Sequence, residues 1–450
     1  MATKLLCILA CLLLHSACAA IPTNLEELLE PPRLSRRQAG VEDALKTSIG
    51  RDAITPRYPM SGGFRSPFVF YDLDGDGREE AIAFFTYNSS PDSIRARIFK
   101  EDEAGNWVMA YDLSGLNGIA NRVDFIDFSY ILSDSHPSIL VGWRERNNAT
   151  TFGVYTFIDG ALRTEYESRY EILDISDYHD NELNQIAFVR RDFAGDLLLN
   201  LFGKISDGRF AELGSVYLST EADEILSIKN GALRGSNRGI FIDIMLRDST
   251  VATEVYEVSQ STLAPVISED SELFQMTFRE SAILSSGPDE NGIVEIPRLV
   301  DLPGHVPEYE LSPPPLTVFM RPARIAESRE DGSVAEVWTL DEARSVVINN
   351  EDGYLVHFPD NWIGNVTVLL LPLSNEWKFH KVDHATNLTT VELLRIRVSS
   401  VTDWQDRMIS DYTTVGEKGL YRYHAFIPPT TTSEPLAIEA HRLDEIFELL

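Results

Sequence analysis

The chain has 450 residues; 70 are Asp or Glu and 39 are Lys or Arg, for a net charge of −31. So acidic a surface repels phosphate backbones and anionic lipid, which argues against a nucleic-acid-binding role. At 44% hydrophobic and 10% aromatic the chain is globular, long enough for several domains or for one large repeat domain with an appendage.

Lys4 precedes an apolar run, Leu5 to Leu14, and small residues then surround Cys18. A charged start, a short apolar stretch and small residues at a cleavage point form a secretory signal, and the run is too short to span a bilayer. No later run approaches the ~20 apolar residues of a spanning helix. Cys7, Cys11 and Cys18 are all the cysteines, so the exported domain is expected to rely on its core and any metal rather than on disulfides. The residues before Cys18 are similar to the bacterial lipobox, although His15 departs from it. The resemblance implies a signal over 1–17 and a lipid on Cys18, a membrane attachment made stable by more than one acyl chain. Ordinary cleavage after Ala19, giving a secreted protein, is the alternative. Residues 18–59 then hold a tether and a short helix, capped by Ser35, running to about Ile49 and closed by Gly50.

From Arg65 the pattern changes to strands. Phe68–Tyr71 and Ala81–Phe85 are apolar, β-prone runs, and between them lies Asp72-Leu-Asp74-Gly-Asp76-Gly77-Arg78-Glu-Glu80. A hard cation such as Ca²⁺ takes about six to eight oxygens, which alternating carboxylates in a tight loop supply. Asp72, Asp74 and Asp76 provide side chains, the Arg78 carbonyl follows the turn at Gly77, and Glu80 closes the set. An EF-hand would need its bidentate acid at the twelfth position, where this chain has Ala83, and helices on both flanks. The strand–loop–strand unit resembles the FG-GAP/VCBS repeat of integrin-type β-propellers. The resemblance implies one structural Ca²⁺ pinned between two strands of a blade.

Decayed copies of the unit follow. Strand anchors at Ala81–Phe84, Ser138–Val141, Gln185–Phe188, Gly239–Ile242 and Val294–Pro297 recur at roughly fifty residues, the period of one four-stranded blade. Most loops have lost their acids. Asp289, Asn291 and Glu295 keep enough of the pattern for a weaker second cation candidate, with Gly287 in place of the first aspartate. A loop with Asp174, Asp180, Asn181 and Asn184 keeps less, and is read with two extra residues. The expected fold is therefore mainly β: a degenerate FG-GAP/VCBS-like β-propeller of about five sheets over 60–345, then a smaller α+β domain over 349–450. In that second domain Val366–Leu371, Trp377–Val382, Glu392–Val398 and Gly419–Ile427 read as strands. Asp403–Ile409 and Leu436–Leu450 read as helices. The opening of this domain, with Pro359-Asp-Asn-Trp362 after a short strand, is weakly similar to PsbP-like domains. The whole arrangement resembles clostridial-type surface lipoproteins that carry one VCBS-like calcium loop, a family that brings no activity with it.

No nucleophile elbow, His-Glu-x-x-His or P-loop motif is present. His380 and His384 have helical metal spacing, but Trp377–Val382, which holds His380, reads as a strand. Asn88, Asn148, Asn365 and Asn387 begin glycosylation sequons, read as chance occurrences. Trp143, Trp362, Trp377 and Trp404 are expected mainly in cores. The reading is a non-enzymatic, lipid-anchored cell-surface module that binds an unidentified envelope protein or glycan. Its rival is a secreted hydrolase with paired carboxylates in a propeller funnel or in the C-terminal domain.

Overall fold

The computed structural model describes residues 34–50, 52–233, 237–259, 262–280, 283–287, 291–304, 313–328, 334–371, 374–400, 411–431 and 434–450. The signal sequence, Cys18, Asp289, Trp404 and the helix expected over 403–409 lie outside the described residues.

The first helix, Arg36–Ile49, begins and ends where its caps dictate. Gln38 N donates to Ser35 Oγ at 3.2 Å while Ser35 N donates to Gln38 Oε1 at 2.9 Å, a reciprocal capping box, and Gly50 closes it at φ 78°. Val41 and Leu45 are buried on its inner face.

The remainder is built from antiparallel sheets taken in chain order. The first holds β1 (Ile54–Pro56), β2 (Phe68–Tyr71), β3 (Glu80–Tyr87), β4 (Ser90–Glu101) and β5 (Trp107–Ser114), with β1 and β2 sharing one edge of β3. The second runs β6 (Ala120–Ser129), β7 (Ser138–Glu145), β8 (Thr150–Ile158), β9 (Ala161–Arg169). The third runs β10 (Ile172–Ser176), β11 (Gln185–Arg191), β12 (Leu197–Lys204), β13 (Phe210–Tyr217), and the fourth β14 (Ala222–Ala232), β15 (Arg238–Leu246), β16 (Val251–Val258), β17 (Leu263–Ile267). The fifth holds β18 (Ile296–Val300), β19 (Leu316–Ser328), β20 (Val334–Asn349) and β21 (Tyr354–His357). The sixth holds β22 (Val366–Leu371), β23 (Glu376–Asp383), β24 (Leu388–Ser400), β25 (Thr413–Lys418) and β26 (Tyr421–Phe426). Last, β27 (Phe447–Leu449) returns to the fifth sheet and pairs with β21.

Successive sheets share cores, which explains why the inner strands lack a polar face. Along β3, Ala81, Ala83 and Phe85 pack on Val41 and Leu45 of the helix, whereas Ile82 and Phe84 face Ile139, Val141 and Trp143 of the second sheet. Leu140, Phe152 and Val154 turn the other way, onto Ile186 and Phe188 of the third. Ala187 and Val189 continue into a core that runs through the later sheets. A strand covered on both faces reads as an unbroken apolar run, because alternation needs one wet face. Trp143 and Trp362 are fully buried and Trp377 nearly so, as core residues.

Three expectations need correction. The anchors at 138, 185 and 239 fall on the second strand of their sheets and that at 81 on β3, which follows β1 and β2, but Ile296 and Pro297 begin the first strand of the fifth, whose second strand is β19. The division at 345–349 cuts the hairpin that joins β20 to β21, where Ile348 pairs with Leu355. The closing helix over 436–450 is also absent: a 3-10 turn (Ala440–Arg442) and one helical turn (Leu443–Ile446) lead into β27. Of the apolar face expected on that helix, Leu443, Ile446 and Phe447 are buried but Leu450 is exposed; β21 offers an open edge, and pairing with it outweighs helical propensity.

Candidate cation site and its second copy

The loop 72–80 joins β2 to β3, and its backbone is folded around its own acids. Gly75 N and Gly77 N donate to the two carboxylate oxygens of Asp72 at 2.8 and 2.9 Å. Asp76 N donates to Asp74 Oδ1 at 3.3 Å, and Arg78 N to Asp76 Oδ1 at 2.8 Å. Gly75 and Gly77 take φ of 75° and 83°, the left-handed region that glycine enters without cost. Leu73 N donates to Glu80 Oε2 at 2.9 Å, which ties the second position of the loop to the ninth.

Asp72, Asp74 and Glu80 converge, each offering an oxygen within 4.8 Å of the others. Oxygens on opposite sides of one Ca²⁺ stand about 4.8 Å apart at bond lengths of ~2.4 Å, so this donor set fits a single ion. Asp76 is outside the compact set, and its free oxygen lies 4.0 Å from Lys100 Nζ. Arg78 is exposed. Glu80 is 1% exposed, and burial, then the charge of Asp74, raises its carboxyl above the ordinary value against the pull of Leu73 N–H and Lys100.

A residue not singled out in the sequence enters here. Lys100, on β4, places Nζ 2.5 Å from Asp74 Oδ2 and 3.3 Å from Glu80 Oε1. Burial alone would lower its pKa, but the two carboxylates win and raise it. Its position follows from register: Ala81 pairs with Phe99, so the next step along the hairpin sets Lys100 beside Glu80. The loop also abuts the next sheet. A Cβ on Gly75 would stand 2.2 Å from the Ser135 carbonyl oxygen in the β6–β7 connection.

The same frame recurs between β10 and β11, in a register different from the expected one. It begins at Asp177 rather than Asp174 and has no extra residues. Asn181 N and Glu182 N donate to the two oxygens of Asp177 at 3.1 and 2.9 Å, Leu183 N donates to Asn181 Oδ1 at 3.1 Å, and Tyr178 N to Gln185 Oε1 at 2.7 Å. Asp180 and Glu182 hold φ of 50° and 67° where the first loop has Gly75 and Gly77. His179 replaces Asp74 and Gln185 replaces Glu80, so two of the three converging acids are gone, while Asp177 keeps the place of Asp72 and most of the main-chain hydrogen bonding stays. Gln185 Nε2 points inward instead, donating to the Leu183 carbonyl at 2.6 Å and lying 3.4 Å from Asn181 Oδ1. The signal in the sequence was an apolar second position, Leu73 or Tyr178, buried beneath each loop.

The segment with Asn291 and Glu295 precedes the first strand of its sheet and is not an equivalent of these loops. Glu295 is taken by two guanidinium groups, Arg321 at 2.5 Å and Arg344 at 2.7 Å, which neutralise it. His380 is largely buried on β23, 4.0 Å from Glu392, while His384 Nε2 meets Asn365 Oδ1 at 2.8 Å, so the two imidazoles serve different neighbours.

No protein-family model matches the chain, and no curated protein matches it either. Among solved structures it is similar to the exotype rhamnogalacturonan lyase YesX, with 13% identity and a TM-score of 0.30 over 75% of this chain and 56% of that one. It is similar to the Bacillus licheniformis rhamnogalacturonan lyase PL11, with 10% identity and a TM-score of 0.31 over 82% of this chain and 85% of that one. It is also similar to Saccharomyces cerevisiae Sqt1, with 8% identity and a TM-score of 0.28 over 78% and 85% of the two chains. Likenesses this distant assign no activity. Among the described residues no helix is long and apolar enough to cross a membrane.

Proposed function

We propose that this chain is a non-enzymatic binding or scaffold module of the cell surface, attached through a lipid on Cys18, with one structural Ca²⁺ in its first loop. Its sheets are the blades of a degenerate FG-GAP-like propeller array, and the loop stiffens the junction of the first two. The observation that carries the reading is the convergence of Asp72, Asp74 and the buried Glu80 on a backbone already folded to present them. Asp76, which stands outside that compact group, and the Arg78 carbonyl would complete the coordination on ion binding. Calcium would supply charge neutralisation and a fixed loop shape. A ligand that binds only the folded state stabilises it by mass action.

Among the described residues the rival hydrolase reading has three cavities to point to: about 590 Å³ with Asp341 and Glu342, about 240 Å³ with Glu351, Asp352, Glu376 and Trp377, and about 510 Å³ lined by Glu221, Asp248 and Glu269 with Phe274 and Phe278. In the last of these the chemistry of the acids is clearest. Its acids are employed structurally. Glu269 receives Thr220 N at 2.8 Å and its carboxyl is held low, chiefly by that bond. Asp248 receives Thr250 N at 2.9 Å and Glu221 faces Arg247 at 3.5 Å. This favours a scaffold over a general acid and base pair.

Thermal melts of the purified chain in calcium and in chelator test the metal, with Asp74→Ala as control. An unchanged melting temperature in the wild type would reject it. Mass spectrometry of the mature N-terminus tests the lipid, and an unmodified terminus at Ala20 would reject that. Capture from envelope extracts and a glycan array with the soluble domain tests the binding role. Turnover of a glycan or peptide, abolished by one carboxylate substitution outside 72–80, would replace it with an enzyme.

A further inference from the structure

We propose that Lys100 is a tethered counter-cation of the loop 72–80, a side chain that occupies the site when calcium is scarce and must leave when a divalent ion enters. The inference rests on the calcium reading above and deepens it.

Lys100 is not part of the loop. It reaches the site from β4, and its ammonium lies within 4.0 Å of Asp74, Asp76 and Glu80, three of the residues assigned to the ion. An ammonium at 2.5 Å from Asp74 Oδ2 takes an oxygen that a divalent ion would use, and two cations a few ångströms apart repel strongly where Glu80 is shielded from water. Occupancy is therefore competitive. Lys100 can also withdraw. Its stem is flexible, its side chain keeps 29% of its exposure, and the Phe157 ring of the second sheet lies 5.8 Å from Nζ.

The second loop supports the same logic independently. Its frame is similar, it keeps Asp177 but has lost the acids at the places of Asp74, Asp76 and Glu80, and Gln185 Nε2 fills the interior by donating to the carbonyl of the seventh position. That donor belongs to the loop itself and is held in place by Tyr178 N–H on its other atom, so it is permanent. The first loop keeps its acids and receives its donor from a distant, retractable side chain. One loop has been closed by the protein; the other is closed reversibly. The consequence is a calcium threshold: apparent affinity is the intrinsic affinity multiplied by the fraction of molecules in which Lys100 has vacated the site.

The test is calorimetric titration of the full purified chain with Ca²⁺ alone, together with melts in calcium and in chelator, for wild type, Lys100→Met and Lys100→Arg. Removing the charge is expected to tighten calcium binding by about tenfold or more, to lower the melting temperature in chelator, and to restore it in calcium. Lys100→Arg, which keeps the charge, is expected to bind within about threefold of wild type. Calcium binding by Lys100→Met that is equal to or weaker than wild type overturns the proposal and leaves the calcium reading standing. A silent wild type with a binding Lys100→Met upholds the proposal and rejects resident calcium. Silence in all three rejects both. If Lys100→Met folds only in calcium, dependence of folding on the ion is itself the expected result, and dependence shared by Lys100→Arg overturns it.

Discussion

The backbone N–H of Tyr178 donates to Gln185 Oε1 at 2.7 Å, across the same span by which Leu73 N–H meets Glu80 Oε2 at 2.9 Å. A carboxylate and an amide offer the same acceptor oxygen at that point. The loop's shape is thus set by main-chain donors and Asx-type acceptors, and its charge is a separate property laid over that shape.

Glu80→Gln is expected to leave the fold intact and to abolish the response to calcium. Gln retains an acceptor for Leu73 N–H, as Gln185 does in the second loop, but removes the buried charge. Its melting temperature in chelator should fall within a few degrees of wild type, and added calcium should not move it. A calcium-induced rise equal to that of wild type would show that Glu80 is no ligand.

Gly75 and Gly77 should differ sharply when replaced by alanine. Both have positive φ, a strain of about 1 kcal/mol for alanine. Only Gly75 faces backbone, with its Cβ 2.2 Å from Ser135 O; Gly77 has open space. Urea unfolding is expected to show Gly77→Ala losing about 1 kcal/mol and Gly75→Ala losing clearly more. Equal losses would mean that the loop does not bear on the second sheet.

Glu254 gives the fourth sheet a pH signature. It is fully buried, receives Tyr256 Oη and Ser219 N at 2.9 Å each, and its carboxyl is pushed up to about 7, first by burial, with Glu269 adding to it. A raised acid holds its proton in the folded state where the unfolded chain has already released it. Its contribution is therefore greatest below 4.5 and is lost as pH rises to about 7. The change is at most on the order of 3 kcal/mol. Urea midpoints at pH 5 and pH 8 should differ less in Glu254→Gln than in wild type; an identical difference would contradict this.

Asp243 and Arg279 form an ion pair at 2.8 Å with both side chains fully buried. Ser227, Thr253 and Ser285 hydroxyls also donate to the Asp243 carboxylate at 2.6 to 2.7 Å, and Arg279 donates to the carbonyls of Thr277 and Ile283. Burial works to raise the Asp243 carboxyl, but Arg279 and the hydroxyls hold it below its ordinary value. Arg279→Met should cost about 3–5 kcal/mol, because it strands a buried charge, and the double variant with Asp243→Asn should recover part of the loss. Additive losses in a double-mutant cycle would show the two to be independent.

Local chemistry was legible in the sequence. The helix between Ser35 and Gly50, the strands flanking 72–80 and the convergence of Asp72 with Asp74 and Glu80 depend on neighbours a few residues apart, where capping, turn chemistry and alternation act. Lys100 was not legible as part of the site, because only the β3–β4 register brings it beside Glu80. The second loop was misread by three residues because Gln185 stands where an acid was sought, and a hydrogen-bond acceptor leaves a weaker trace than a charge. The pairing of Ile296–Val300 with β19 and of Phe447–Leu449 with β21 was likewise not legible. Strand pairing joins residues far apart in the chain, and an apolar segment takes the partner that the rest of the fold presents to it, whatever its own propensity.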